Sequence, residues 1–245
     1  MNVPFFDLHA QLAGIRSEIR TAIDDVIEST QYIGGPILES LERTIANYSG
    51  AGNAIGVSSG TDALLASLMA LDVGHGDLVV TTPFSFFATA GVIARLGATP
   101  VFVDIDPVTY NMNPAALAQW FDEAIDHRGA VKAILPVHLF GQCADMGPIL
   151  KVASNQGVHV LEDAAQALGA EYPMDRSRAQ AGTMGLLGCF SFYPTKNLGG
   201  VGDDQLKVFP LRDSLDPGPI PVRLQSSTDG GYDAVLLDRA SPLHP

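Results

Sequence analysis

The chain predicts a three-layer α/β/α fold on a mostly parallel central sheet, and three observations carry that expectation. Six short β-branched or apolar runs, "NAIGVSS", "LVVTTP", "TPVFVDI", "VKAILPVH", "GVHVLED" and "GCFSFY", alternate with longer amphipathic segments. The runs are apolar throughout instead of alternating with polar residues, as strands covered on both faces by helices are. Hydroxyl, acidic and basic residues cluster just after the runs, at the carboxyl ends where open parallel sheets hold their ligands.

In chain order, "QLAGIRSEIRTAIDDVIEST" has the Leu/Ile spacing of one helix, "QYIGGP" breaks it, and "ILESLERTIANYSG" begins another. Residues 1–50 therefore read as a helical arm preceding the sheet. Helices over 60–72, 88–96, 113–126 and 144–156 are the expected crossovers of a domain spanning 51–203. Residues 204–245 differ, holding 6 of the 16 prolines. In "LDPGPIPVRLQSSTDGGYD" neither helical nor strand periodicity persists, so this tail is expected to be loosely structured and to add little to the core.

Composition narrows the function. With 14 Lys+Arg against 27 Asp+Glu the formal charge is −13, a field that opposes binding to the phosphates of nucleic acid. Cys143 and Cys189 are the only cysteines, too few and too far apart for a disulfide framework or a zinc site, and both are expected to be reduced and buried. No metal is anticipated. The N-terminus lacks the charged and apolar regions of a signal peptide, and no run reaches the roughly 18 apolar residues of a membrane span, so a cytoplasmic location is expected.

Four motifs carry chemistry. In "VSSGTDALLASLMAL", Ser58, Ser59, Gly60 and Thr61 head a helix, where backbone N–H groups and hydroxyls suit a bound phosphate; the same residues also serve as an ordinary N-cap. "VLEDAAQALGA" ends a strand with Glu162 and Asp163. Asp163 is placed to bond a protonated ring nitrogen, or simply to cap or face solvent, and Gln166, one helical turn on, would face the same cavity. "TTPFSFFATAGV" offers Phe84, Phe86 and Phe87, one of which could stack on a flat cofactor or pack in the core. "SFYPTKNLGG" sets a single amine, Lys196, after the sixth run, while His138 in "PVHLFGQCADM" reads more readily as structural. An anion site, a ring stack, a pyridinium partner and an amine at one sheet edge are the equipment for pyridoxal 5′-phosphate (PLP). A dinucleotide-dependent oxidoreductase lacks its main support, since no G-x-G-x-x-G follows the first strand.

Over residues 3–203 the chain resembles the DegT/DnrJ/EryC1/StrS sugar aminotransferases, of the aspartate aminotransferase fold. The stretches that carry the resemblance are "VPFFDLHAQ", "QYIGGPILESLE", "SSGTDALLASLMAL", "PVFVDIDPVTYNM", "PVHLFGQCADM", "LEDAAQALGA" and "SFYPTKNLGGVGD". The resemblance implies that Lys196 carries PLP as a Schiff base, that Asp163 holds the pyridine nitrogen and that Gln166 lies near the phenolic oxygen. Ser59, Gly60, Thr61 and Ser191 would hold the phosphate, and Phe86 would stack on the ring. It further implies a homodimer acting on a nucleotide-linked keto sugar, with glutamate as amino donor. Residues 51–203 would be the PLP-binding large domain. After "VGD" the sequence departs from the family pattern, and the small C-terminal domain is expected to be missing; the competing expectation is a truncated remnant that at most binds PLP.

Overall fold

The computed structural model describes residues 7–124, 126, 130–174 and 177–200, together with the backbone of residues 205–209. The first helical segment is two helices and not the one expected. Helix α1 (Leu8–Ala13) stops at Gly14, and α2 (Arg16–Ser29) starts after Ile15. Glycine, with the poorest helix propensity after proline, gives way in the middle of the predicted run. Neither helix buries a residue. Helix α3 (Pro36–Ser49) behaves differently within the same arm: it starts on a proline, ends at Gly50 in left-handed backbone, and buries Ile45 and Ala46. Its Glu42 side chain accepts the Gly56 N–H at 2.7 Å, tying the helix to the first strand.

The strands are β1 (Asn53–Val57), β2 (Leu78–Thr81), β3 (Thr99–Phe102), β4 (Val131–Ile134), β5 (His159–Asp163), β6 (Glu171–Met174), β7 (Ser177–Gln180), β8 (Leu187–Ser191) and β9 (Gln205–Phe209). Seven of them form one sheet in the order β1-β9-β8-β5-β4-β2-β3. All six strands expected from the sequence run in one direction, with β9 antiparallel between β1 and β8. Two features had no counterpart in the sequence reading. One is the hairpin β6–β7. The other is β9, which falls at residues 205–209 of the segment expected to be loose; its backbone is satisfied on both sides by β1 and β8, a tertiary effect invisible to local periodicity. Residues 210–245 lie outside the described residues.

Crossover helices α4 (Gly60–Ala70), α5 (Phe87–Arg95), α6 (Pro114–Glu123) and α7 (Met146–Gln156) cover both faces of the sheet. Neighbouring strand residues point to opposite faces, so the apolar runs feed two cores at once. Val79, Ala133 and Leu161 meet Leu64, Leu68, Val92 and Ile93 of α4 and α5. Val80, Ile134 and Val160 meet Leu117 and Phe121 of α6 and Met146 and Ile149 of α7. Deleting one of these fully buried side chains, Leu68→Ala for example, is worth about 2–5 kcal/mol. The two cores fix the height of every strand, and with it the carboxyl edge where β1, β2, β4, β5 and β8 all end.

Candidate active site

Strand β5 ends in two adjacent carboxylates, and alternation sends them to opposite faces of the sheet. Glu162 is fully buried. Its Oε1 accepts the N–H groups of Met184 (2.6 Å) and Gly185, and its Oε2 accepts Gly182 N–H (2.8 Å) and His138 Nε2–H (2.7 Å). Ala144 N–H donates to His138 Nδ1 at 3.0 Å, so the ring proton sits on Nε2 and is committed to Glu162. Gly182 is required here: its φ is +84°, and a Cβ would meet the Phe190 ring at 2.7 Å. Glu162 and His138 thus form a closed structural clamp, in keeping with the structural reading of His138.

Asp163, on the other face, is 5% exposed and less completely served. Thr89 donates its hydroxyl to Oδ2 at 2.8 Å, and Ala165 N–H donates to Oδ1 at 3.2 Å. Each oxygen keeps acceptor capacity for a further donor. Burial pushes this carboxyl above the usual carboxylate range, against the two hydrogen bonds and the charge of Lys196. The backbone is held rigidly: Asp163 N–H donates to Pro136 C=O (2.9 Å), His138 N–H donates to Asp163 C=O (2.9 Å), and Ala164 N–H reaches Cys189 C=O (2.9 Å).

Lys196 follows β8 in a turn closed by its own N–H to Tyr193 C=O (2.8 Å) and by Gly200 N–H to Phe192 C=O (2.7 Å). It is half-buried. Burial lowers its pKa, the neighbouring Asp163 charge opposing, which raises the fraction of neutral, nucleophilic amine. The structure therefore brings together the amine and the acid that the sequence placed 33 positions apart.

The other expected residues fall on the same edge. Ser59 is the N-cap of α4 and accepts Asp62 N–H at 3.0 Å. That cap leaves the N–H groups of Gly60 and Thr61, at the first two helical positions, outside the helix's own bonding scheme and available to an anion. Helix α4 packs on β8, at whose end Ser191 is buried and accepts Tyr193 N–H. Of the three candidate aromatics, Phe84 stacks on Tyr110 at 5.6 Å, and Phe87 lies along its own helix over Gly91. Phe86, at the N-cap of α5, presents an open ring, 67% exposed. Gln166 lies in a turn and not one helical turn into a helix, because no helix follows β5. Its Oε1 accepts Phe140 N–H at 2.8 Å, which orients its Nε2 as the remaining donor.

Sequence reasoning missed Thr89 and Ser85, the latter bonded to the former at 2.8 Å. A signal was present: in the apolar helix "FATAGVIAR" one hydroxyl faces the core, and a buried hydroxyl needs a partner. The cysteine expectation needs one correction. Cys189 is buried, but Cys143 is only half-buried, its thiol pushed up to about 11 by burial and by the charge of Glu162. A hollow of about 540 Å³ between α6 and α7 holds none of the residues above. Among the described residues no His/Cys/Asp/Glu group is placed to hold a metal, and no helix is long and apolar enough to cross a membrane.

Residues 14–204 match the sequence model of the DegT/DnrJ/EryC1/StrS aminotransferase family. The chain belongs to that family. Among curated members it is 48% identical over 236 residues to the "Pleiotropic regulatory protein" of Geobacillus stearothermophilus, covering 96% of this chain and 60% of that protein. It is 46% identical over 201 residues to the UDP-2-acetamido-2-deoxy-3-oxo-D-glucuronate aminotransferase of Pseudomonas aeruginosa, covering 82% and 53%. The chain thus spans a little over half the length of these family members. The first alignment, leaving out only about a twenty-fifth of the chain, runs past residue 204, where the family match ends. A solved member of the family, from Brucella abortus, superposes with a TM-score of 0.79 at 38% identity, over 85% of this chain and 55% of that one.

Proposed function

We propose that this chain forms the PLP-binding part of an aminotransferase that aminates a nucleotide-linked keto sugar. The observation that carries the reading is the pairing of a half-buried Lys196 with a buried, two-donor Asp163 at one sheet edge. The donor set fits the cofactor. Phosphate suits the open N–H groups of Gly60 and Thr61 with the hydroxyls of Ser59, Thr61 and Ser191, and the Phe86 ring offers a stacking face. Asp163 would accept the ring N–H, Gln166 Nε2 would donate to the phenolic oxygen, and Lys196 would supply the amine for the aldehyde.

When bound, PLP supplies an electron sink for the carbon that loses its proton. The chain's own groups do the rest. An ionised Asp163 would keep the ring nitrogen protonated through a charge-assisted bond. Lys196 Nζ, whose burial favours the neutral form, would accept the α-proton of the amino donor and give it back to the carbon that had carried the cofactor's aldehyde. Family resemblance supports glutamate as that donor, a homodimer as the working unit and the cytoplasm as its location. The keto-sugar substrate class follows the activity of the Pseudomonas aeruginosa relative, a UDP-2-acetamido-2-deoxy-3-oxo-D-glucuronate aminotransferase.

Borohydride reduction in the presence of PLP, followed by peptide mapping, tests the reading. The label is expected on Lys196. Label on Lys132, Lys151 or Lys207, the other lysines of the chain, would overturn it.

A further inference from the structure

We propose that Thr89 is a positioning residue: its hydroxyl, backed by Ser85, favours the ionised form of the Asp163 carboxylate and turns its open lone pairs toward the cofactor's ring nitrogen. The inference rests on the PLP reading only for the identity of that nitrogen. The relay itself is a property of the cofactor-free chain.

Thr89 is 1% exposed and sits in the first turn of α5. The usual partner of a threonine inside a helix is the carbonyl four residues back, here that of Ser85. Thr89 instead bonds the Ser85 hydroxyl at 2.8 Å and reaches across to Asp163 Oδ2 at 2.8 Å. An ionised carboxylate only accepts, so the one Thr89 proton points at Oδ2, and the Thr89 oxygen receives the proton of Ser85. The two hydroxyls therefore run in one direction, toward the acid. With Ala165 N–H on Oδ1 at 3.2 Å, both carboxylate oxygens are pinned and neither is saturated. Rotation of the carboxyl about its own axis would break both bonds.

The relay matters because the surroundings of Asp163 are otherwise unfavourable to charge. It is buried between β5 and α5, and desolvation is the largest influence on it, favouring the acid. The titratable groups that face it are Lys196, from the loop after β8, and His138, from the segment after β4, whose ring proton is committed to Glu162. Glu162 itself lies on the opposite face of β5. A neutral acid at this position could not keep a pyridine nitrogen protonated, so the donor that favours the ionised form controls how the site works.

Two substitutions isolate the hydroxyl. Thr89→Val keeps the shape and deletes the donor; Thr89→Ser keeps the donor. In the cofactor-free chain, ¹³C NMR of the Asp163 carboxyl follows its titration directly. Thr89→Val is expected to raise the midpoint by about one unit, roughly tenfold in proton affinity, as loss of a hydrogen bond to a charged group does. Thr89→Ser is expected to titrate with the parent. If Thr89→Val fails to fold by circular dichroism, Thr89→Ala carries the same expectation. In PLP-loaded protein the pH midpoint of the visible absorbance should move with the valine or alanine variant and stay in place with serine. Coincident carboxyl titrations of the donor-deleted variant and parent would overturn the proposal. A parent chain that takes up no PLP would overturn the cofactor reading instead, leaving the carboxyl titration to decide the role of Thr89.

Discussion

Glu162 and Asp163 are neighbours in sequence, both carboxylic and almost equally buried, yet the two faces of β5 make different groups of them. On one face Glu162 accepts four hydrogen bonds, three from the backbone of residues 182–185 and one from His138. Its acceptor capacity is spent on holding a loop and a strand end together. On the other face Asp163 accepts two hydrogen bonds, sits near a lysine, and is pushed up in pKa by burial. A saturated buried carboxylate is structure; an unsaturated one beside an amine is equipment for a ligand.

The difference can be broken most sharply at Glu162. Glu162→Gln puts an amide NH₂ against N–H donors on whichever side it turns, and His138 cannot change tautomer to accommodate it without losing Ala144. Urea denaturation of the cofactor-free variant is expected to show a loss of about 2–6 kcal/mol, because two buried N–H donors lose their acceptor at about 1–3 kcal/mol each. A loss under about 1 kcal/mol would mean that the clamp carries little of the fold.

Asp163→Asn should behave in the opposite way. The amide oxygen can keep Ala165 N–H, and its NH₂ can donate to Thr89, which then turns its proton to Ser85. Stability within about 1 kcal/mol of the parent is expected, since both bonds survive and a buried charge is removed. Amino-group transfer from donor to cofactor, followed in single turnover, should fall about 10²-fold or more, because an amide cannot keep the ring nitrogen charged. Equal single-turnover rates would remove Asp163 from the site.

Smaller effects sharpen the same contrast. Phe86→Leu keeps an apolar side chain and loses the ring face, so PLP affinity measured by equilibrium titration should weaken about 3- to 10-fold, in line with about 0.5–1.5 kcal/mol for an aromatic pair. Cys143 reports on the charge of Glu162 from outside the clamp. With its thiol pushed up to about 11, the thiolate forms only at high pH, and alkylation should stay slow at pH 8, where an ordinary cysteine with a pKa of about 8.5 reacts readily. Fast labelling at pH 8 would show that the thiol does not feel that burial and charge.

How much of this the sequence could reveal follows from what each feature depends on. The six parallel strands and four crossover helices were legible because burial on both faces writes a continuous apolar run into each strand. The placement of Lys196, Asp163, Gly60 and Thr61 at one sheet edge was legible because they follow strands that run in parallel. Glu162 and Asp163 could not be told apart: the residues that saturate Glu162 come from positions 138 and 182–185, far along the chain. Thr89 was hidden for the same reason, its partner being 74 residues away. Strand β9 and the β6–β7 hairpin were missed because short strands take their stability from neighbours and not from local propensity. The break at Gly14 was missed because Leu/Ile spacing continues across it.

The central claim is that this carboxyl edge is a PLP site assembled on Lys196. Its most direct test is the visible absorbance of the purified chain titrated with PLP, run beside Lys196→Met. A visible band that appears in the parent, survives gel filtration and is lost in Lys196→Met is the predicted result. The same band in both proteins, or none in the parent at saturating PLP, would contradict it.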